Sequence, residues 1–276
     1  VDMLGTRKTS LYVKSKGAGV ESRNRMGASE GALRLGASLT RMGNPDEGTT
    51  SPVVLLHGWG GSYDSTWGSS GFAALLEDAG KTVIGIDLLG HGRSPKPHDP
   101  LAYDDLTLSV LERMPDEPCD AVGFSLGAMT LLRIMIDHPH RLGRVVLAGI
   151  GRNVLETPDP EQTARIVDAI EGRGDPTDVM AGLFAQYAHQ PGNDPIALAA
   201  VMKHDRPRPT DLELSLIEHQ TLIVIGDRDF AGPGEPLAER IRNAELLTLR
   251  GVDHFATTEN FGFFDAALEF LGALPT

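Results

Sequence analysis

The chain has 276 residues, of which 41% are hydrophobic and 23% charged, values typical of a folded globular protein and sufficient for one large α/β domain. Its formal net charge of −13 argues against a nucleic-acid or anionic-membrane partner, because both need clustered positive charge. No apolar run reaches membrane-spanning length, no signal-peptide core is evident, and the single cysteine, Cys119, cannot form an internal disulfide. We therefore expect a cytoplasmic, enzyme-sized protein.

The first fifty residues carry the weakest patterns in the chain. Residues 1–19 are locally basic and lack a long periodicity, so we treat them as an N-terminal extension. Residues 20–43 read as a hairpin, and residues 44–48 (Asn-Pro-Asp-Glu-Gly) form a loop. The main domain is therefore expected to begin at about residue 20.

Short apolar runs alternate with helical segments from residue 52 onward. Pro52–Leu56 is apolar throughout, as is typical of a strand buried on both faces. Further strands are predicted over 82–86, 144–148, 221–225 and 245–249, and another runs from 119 to the turn at 123–127. Helices are predicted over 72–79, 104–114, 128–136, 236–242 and 259–271. Strands separated by helices of this length predict right-handed crossovers and an α/β fold with a mostly parallel, doubly wound sheet.

The alternation stops between residues 152 and 219, where no strand pattern occurs. Asp followed by Pro favours a helix start, because Asp caps the first turn and Pro fits its first position; this pair begins at Asp159, Asp175 and Asp194. A fourth start is a capping box from Thr210 to Glu213. We predict several short helices inserted between core segments 20–151 and 220–276, with four apolar side chains facing either the core or a substrate: Leu183, Phe184, Tyr187 and Met202.

The pentapeptide Gly123-Phe124-Ser125-Leu126-Gly127 lies between a predicted strand and a predicted helix. This context is the one that a nucleophile elbow requires, although the bare pattern also arises by chance in a chain with 32 glycines. Glycines two positions either side of Ser125 remove Cβ atoms that would collide in a sharp turn. The sequence therefore favours Ser125 as a nucleophile that stands beside the N-terminus of a helix.

A serine nucleophile needs a histidine to accept its proton and a carboxylate to orient that histidine. Because strand ends meet at one edge of a parallel sheet, we expect the loops after successive strands to supply these groups. Of nine histidines, His254 alone follows the last strand, whereas His57 precedes a glycine-rich turn and is better suited to supporting that loop. For the acid, Asp229 is preferred to Asp227 because it lies further into its loop, and Asp253 is interpreted as a solvated loop charge.

The oxyanion of an acyl-transfer intermediate requires two N–H donors that point at one position. The elbow supplies one, the backbone N–H of Leu126. The turn after the first strand, His57-Gly58-Trp59-Gly60, is expected to supply the other from the backbone of Trp59, whose indole is a candidate wall of the acyl pocket.

These motifs together resemble those of the α/β-hydrolase superfamily, and in particular its small bacterial serine hydrolases with a helical cap. The matching segments run in order from about residue 30 to the C-terminus: 57–60, 87–94 (Asp-x-x-Gly-His-Gly-x-Ser), 123–127, 226–229 and 251–255. The resemblance implies a catalytic triad of Ser125, His254 and Asp229, oxyanion donors Trp59 and Leu126, and a cap formed by residues 152–219. Leu89 replaces the arginine that often precedes Gly-His-Gly in relatives.

The expected activity is hydrolysis of a small or medium carboxylic ester through an acyl-enzyme on Ser125. The same triad serves carbon–carbon bond hydrolysis of ring-cleavage products and lactone opening, but those ring-cleavage enzymes usually carry Asn where this chain has Phe124. A non-catalytic protein that binds a small molecule is a third possibility. No metal-ligand spacing and no dinucleotide fingerprint occur, so we expect a small-molecule substrate and neither metal nor cofactor.

Overall fold

A computed structural model describes residues 51–204 and 206–274 of the chain. The predicted extension over 1–19 and the hairpin over 20–43 therefore lie outside the described residues. Within the described residues, no helix combines the length and the apolar character needed to cross a bilayer.

Six parallel strands form one sheet in the order β2-β1-β3-β4-β5-β6. The strands, whose bounds stay within about two residues of the sequence predictions, are β1 Val53–Leu56, β2 Val83–Ile86, β3 Cys119–Phe124, β4 Leu142–Ala148, β5 Thr221–Gly226 and β6 Ala244–Leu249. The order reverses between β1 and β3, which pair in parallel with Leu56 opposite Gly123. Ligands bind at such a reversal in open α/β sheets, beyond the carboxyl ends of the strands. The predicted α/β class and parallel sheet are confirmed.

Nine α-helices connect or follow these strands in the described residues: α1 Phe72–Asp78, α2 Leu106–Leu111, α3 Leu126–Asp137, α4 Pro160–Ile170, α5 Val179–Ala188, α6 Pro195–Lys203, α7 Asp211–Ser215, α8 Glu235–Ala238 and α9 Phe261–Phe270. Alternate residues of each strand face opposite sides of the sheet. Val54 and Leu56 pack with residues of α2 and α3, whereas Val53 and Leu55 pack with residues of α1 and α9. Both faces of the sheet are therefore covered, which explains why β1 is apolar at every position.

Helices α4 to α7 all lie between β4 and β5, in the segment where no strand was predicted. Asp159 and Asp194 cap α4 and α6 as expected, and Thr210 forms the predicted capping box with Glu213. The start expected at Asp175 is wrong. The Asp175 carboxylate accepts from the backbone N–H and the hydroxyl of Thr177 in a turn, and Asp178 caps α5 instead.

Two core helices are shorter than their sequence pattern indicates. Helix α2 begins only at Leu106, because Asp105 caps it and a separate 3₁₀ turn occupies residues 100–103. Helix α8 ends at Ala238 rather than Arg242, since the chain must turn before β6 begins at Ala244. Neither difference moves a candidate site residue.

Candidate active site

Ser125 occupies a sharp turn between β3 and α3. It has φ 51° and ψ −112°, and it is the only non-glycine residue with a positive φ in the described parts of the chain. Such a conformation costs about 1–3 kcal/mol and persists only where the surroundings impose it. The Ser125 N–H donates to the Ala148 carbonyl at 2.8 Å, and the Ser125 carbonyl accepts from the Met129 N–H at 2.9 Å. Both sides of the turn are thus held by neighbouring elements.

The two glycines of the pentapeptide are required by close backbone approach. A Cβ atom on Gly127 would lie 2.5 Å from the Leu56 carbonyl oxygen, and one on Gly123 would lie 2.7 Å from the Ala128 nitrogen. Real Cβ atoms do not approach that closely, so a larger residue would displace the strand or the helix. The elbow is therefore packed against the end of β1, beside the turn that holds Trp59.

His254, in the loop after β6, lies between Ser125 and Asp229. Its Nε2 is 3.0 Å from the Ser125 Oγ, and its Nδ1 is 2.8 and 2.9 Å from the two Asp229 carboxylate oxygens. Because a carboxylate only accepts hydrogen bonds, Nδ1 carries the proton and Nε2 is free to accept from the serine hydroxyl. The structure thus brings the three predicted residues together in the protonation pattern that a general base requires.

Burial fixes the acid and the histidine. The Asp229 carboxylate is fully buried, and its Oδ1 also accepts from the Ala231 N–H at 2.8 Å. The His254 ring packs against Phe230 at a centroid distance of 4.2 Å and against Phe124 at 4.9 Å. Ser125 itself is only partly buried. The reactive hydroxyl is therefore accessible while its partners are held in place.

The alternative acids point elsewhere. Asp227 is exposed, and its carboxylate accepts from the Gly251 N–H at 2.7 Å. Asp253 is exposed too and accepts from the Ala256 N–H. Geometry therefore matches the sequence preference for Asp229 as the partner of His254.

The turn after β1 lies next to the elbow, since a Cβ atom on Gly58 would be 3.4 Å from the Ser125 Cβ. His57 supports this turn, as the sequence indicated. Its Nδ1–H donates to the Gly58 carbonyl at 2.7 Å, and its Nε2 accepts from the Leu88 N–H at 3.1 Å. Complete burial lowers the pKa of His57. Burial, together with the charge of the nearby His57 ring, lowers the pKa of His91 to about 3. Both rings are therefore neutral structural groups.

The predicted oxyanion donors belong to the two elements next to Ser125, the start of α3 and the turn after β1. Leu126 is the first residue of α3, so its N–H has no acceptor within that helix. Trp59 follows Gly58 in the turn. Its indole donates from Nε1 to the Leu198 carbonyl of α6 at 3.2 Å, a contact that the sequence did not indicate.

Aromatic side chains surround the histidine and extend into the inserted helices. Phe184 of α5 contacts Trp59 at 5.2 Å and Phe230 at 6.3 Å between ring centroids, and Tyr187 stacks on Phe255 at 4.9 Å. Phe184 and Tyr187 therefore belong to the surroundings of the site. Phe184 and Met202 both pack against the hydrophobic cluster of the inserted helices, and Leu183 is partly buried. Phe230 was missed in the sequence analysis, although its place directly after Asp229 was an available signal.

Residues 51–204 and 206–274 contain no cluster of three or more His, Cys, Asp or Glu side chains arranged to hold a metal ion. Cys119 is buried in the core, and burial raises the pKa of its thiol to about 11. The expected assignment of Cys119 to the core is confirmed.

Comparison with known proteins agrees with this architecture. The alpha/beta hydrolase fold family matches the chain over residues 51–171. A pimeloyl-[acyl-carrier protein] methyl ester esterase from Methylococcus capsulatus is 30% identical over 207 residues, which cover 63% of this chain and 79% of that protein. A 2-hydroxymuconate semialdehyde hydrolase from Pseudomonas sp. (strain CF600) is 27% identical, over 79% of this chain and 86% of that protein. The chain belongs to the α/β-hydrolase superfamily.

A solved structure extends the likeness at the level of the fold. The enol-lactonase from Burkholderia xenovorans LB400 superimposes with a TM-score of 0.63 at 22% sequence identity, over 82% of this chain and 93% of that chain. The two relatives named above are both bacterial hydrolases, which supports hydrolase activity for this chain.

Proposed function

We propose that this protein is a serine hydrolase that cleaves a small or medium carboxylic ester through an acyl-enzyme on Ser125. The observation that carries the proposal is the unbroken chain of hydrogen bonds from Asp229 through His254 to the Ser125 hydroxyl, with distances of 2.8 and 3.0 Å. A serine hydroxyl is a weak nucleophile at neutral pH. In this row of hydrogen bonds, His254 accepts the proton and the charge of Asp229 stabilises the resulting imidazolium.

The reaction follows from the protonation pattern. Ser125 Oγ attacks the ester carbonyl carbon while His254 Nε2 takes the hydroxyl proton, and the carbonyl oxygen becomes an oxyanion. Collapse of this intermediate breaks the ester C–O bond, and the leaving alcohol takes the proton from His254. A water molecule then gives a proton to His254 and attacks the acyl-enzyme, which releases the carboxylic acid and restores the Ser125 hydroxyl. Asp229 remains ionised throughout and stabilises the protonated ring.

We assign the backbone N–H groups of Leu126 and Trp59 to the oxyanion. The Leu126 N–H stands at the positive end of α3, and Trp59 lies in the turn packed beside Ser125. Both are main-chain donors, one on the first residue of α3 and one in a turn held by hydrogen bonds to the Gly58 carbonyl, so little reorganisation accompanies the development of negative charge.

We further propose that residues 152–219 act as a cap on the core that the structure describes on either side of them in the chain. Support comes from Phe184, which lies on α5 of the insertion and contacts both Trp59 and Phe230. Apolar rings at this position favour an apolar acyl or alkoxy group in the substrate. The esterase relative from Methylococcus capsulatus supports ester chemistry for this site.

Carbon–carbon bond hydrolysis of a ring-cleavage product, or lactone opening, is the second candidate. The similarity to a 2-hydroxymuconate semialdehyde hydrolase and to an enol-lactonase favours it. Both reactions can begin from the same serine, so the triad geometry does not discriminate between them. Initial rates on matched panels of esters, lactones and vinylogous diketones rank the candidates, and a preference for the diketone by orders of magnitude would replace the ester assignment.

The nucleophile is tested with Ser125→Ala. We expect hydrolysis of nitrophenyl esters to fall by at least about 10⁴-fold and labelling by a fluorophosphonate to disappear, since no other group can form the acyl-enzyme. Ser215→Ala is the matched control, because that exposed hydroxyl on α7 donates only to the Leu212 carbonyl. Retention of labelling in Ser125→Ala would falsify the assignment. Tight, stoichiometric binding of a ligand without turnover by the unaltered chain would instead indicate a binding protein.

A further inference from the structure

The start of helix α6 and the loop before it reach the turn that carries Trp59 at two points. The side-chain amide of Asn193 donates from Nδ2 to the Gly60 carbonyl at 2.7 Å. The Trp59 indole donates from Nε1 to the Leu198 carbonyl at 3.2 Å. One contact holds the main chain of the turn and the other holds its largest side chain. Both cross from the inserted helices to the end of β1.

Asn193 uses both of its amide hydrogens in this contact region. The second hydrogen bond runs from Nδ2 to the Tyr187 carbonyl, at the end of α5, at 2.9 Å. Because both neighbours are carbonyl oxygens, the amide must present its NH₂ group to them. Asn193 therefore joins the last turn of α5 to the Gly60 peptide through one nitrogen atom, an arrangement that neither aspartate nor alanine can reproduce.

The turn needs such support because three of its residues are glycines: Gly58, Gly60 and Gly61. Gly60 has φ 74°, in the left-handed region, and chains rich in glycine have many alternative conformations. On the near side, the Gly58 carbonyl accepts from His57 Nδ1 at 2.7 Å and from the Gly61 N–H at 3.1 Å. The Trp59 N–H belongs to the same planar peptide as that carbonyl and points the opposite way, so these bonds set its direction.

The far side of Trp59 is where Asn193 acts. Its bond to the Gly60 carbonyl fixes the Gly60–Gly61 peptide, so the turn is held on both sides of the Trp59–Gly60 peptide. Without this bond, rotation about the Gly60 backbone is opposed by little more than the Gly61 to Gly58 hydrogen bond. A donor that misses its target by about 1 Å loses much of its effect on a developing oxyanion.

We infer that Asn193 is a positioning residue for the oxyanion donor of Trp59, so that the inserted helices help to build the site of acyl transfer as well as to enclose it. The inference rests on the proposed function, because it assumes that an oxyanion forms beside Ser125. It assigns Asn193 no contact with the substrate. Its effect passes through the Gly60 peptide.

The experiment compares Asn193→Asp with the unaltered protein on an oxoester and on the corresponding thionoester. The substitution keeps the side-chain shape and replaces the donor by an acceptor that faces two carbonyl oxygens. Donors held for oxygen stabilise a developing sulfur anion poorly, so a displaced donor lowers kcat/KM for the oxoester more than for the thionoester. We expect the ratio of the two kcat/KM values to fall about tenfold, less than the 10²–10³-fold cost of deleting a donor outright. The loss should be in kcat, with little change in KM.

The ratio separates positioning from a general structural loss, because the same active fraction of protein acts on both substrates. Asn243→Asp is the matched control, since Asn243 donates in the same way to the Glu218 carbonyl just before β6 begins, at the opposite end of the sheet. We expect its ratio to stay unchanged. If Asn193→Asp does not fold, Asn193→Ala removes the donor without adding charge.

An unchanged ratio in the folded Asn193 variants overturns the inference, whether total activity falls or not. That outcome differs from failure of the proposed function, which would appear as undiminished ester hydrolysis in Ser125→Ala. If Ser125→Ala is inactive and the Asn193 ratio is unchanged, the serine mechanism holds and Asn193 is only structural.

Discussion

The sheet core and the inserted helices differ in how firmly each is held. Every residue of β1 and β3 is buried, and both faces of the sheet are covered by helices. The insertion has only a small hydrophobic cluster of its own, drawn from α4, α5 and α6, although Ala200, Val201 and Leu214 also pack into one cluster of the sheet core. The groups that the proposed chemistry requires at fixed distances lie on the firmer part. The aromatic rings near His254 are divided between the two parts, so under the proposed function the substrate range can change without disturbing the mechanism.

Of the tests of this comparison, a substitution in the sheet core should have the largest effect on activity. Asp229→Asn presents an amide to His254 Nδ1 and favours the ring form protonated at Nε2, which cannot accept the Ser125 proton. We expect kcat to fall by about 10³–10⁴-fold with little change in thermal stability. Steady-state kinetics on a nitrophenyl ester, with a melting curve for each variant, provide the measurement.

Asp227→Asn is the control for this prediction, because an asparagine oxygen can still accept from the Gly251 N–H. Its activity should remain within a few-fold of the unaltered protein. A greater loss in Asp227→Asn than in Asp229→Asn would show that the other carboxylate of the loop is the functional one.

The core and its site were largely predictable because their signals are local. A continuous apolar run such as Val53–Leu56 can be stable only in a strand covered on both faces, and the glycines around Ser125 are needed because a Cβ atom there would meet backbone atoms. Parallel strands whose carboxyl ends share one edge then bring Ser125, Asp229 and His254 together.

The insertion was less predictable because its structure depends on contacts between distant residues. Asp175 carries the same local start signal as Asp159, yet its carboxylate accepts hydrogen bonds within a turn, and Asp178 caps the helix instead. Trp59 and Leu198 are 139 positions apart, and Asn193 and Gly60 are 133 apart. No spacing rule links such residues, so the contacts between the insertion and the β1 turn became visible only in three dimensions.

A smaller effect is expected on the insertion side. Phe184→Ala removes a ring that contacts Trp59 and Phe230. Under the proposed function, kcat/KM for esters of aromatic or long-chain acids should fall about tenfold, the equivalent of 1–2 kcal/mol of lost apolar contact, while acetate esters change little. The measurement is the ratio of kcat/KM values across a series of acyl groups.

Val179→Ala serves as the control because it shortens a side chain of the same helix, and Val179 is 77% exposed. That variant should leave the ratio unaltered. An equal loss on every ester in Phe184→Ala would indicate that the ring positions the catalytic groups and does not contact the acyl chain. Catalysis and substrate selection would then not be divided between the core and the insertion.

The smallest effect compares equivalent caps in the two regions. Asp105 caps α2 in the core, where its Oδ1 accepts from the Thr107 N–H at 2.8 Å, and Asp159 caps α4 in the insertion, where its Oδ1 accepts from the Glu161 N–H at 2.9 Å. Replacing either by alanine removes a cap bond worth about 1 kcal/mol, and Asp105→Ala also removes the bond that the Thr107 hydroxyl donates to the same oxygen. If the insertion unfolds before the core in denaturant, Asp105→Ala should lower the free energy of the core transition by about that amount, and Asp159→Ala by less than half of it.

In Asp159→Ala the destabilisation should instead be local. Amide hydrogen exchange should become faster in α4 and α5, while exchange in β3 and β4 stays unchanged. Denaturant unfolding and hydrogen exchange on the same samples provide both quantities. Equal losses of global stability in the two variants would mean that the core and the insertion unfold as one cooperative unit. In that case Asn193 and the Trp59 indole would be part of a single rigid body, and the adaptability of the insertion would have to come from side chains such as Phe184 alone.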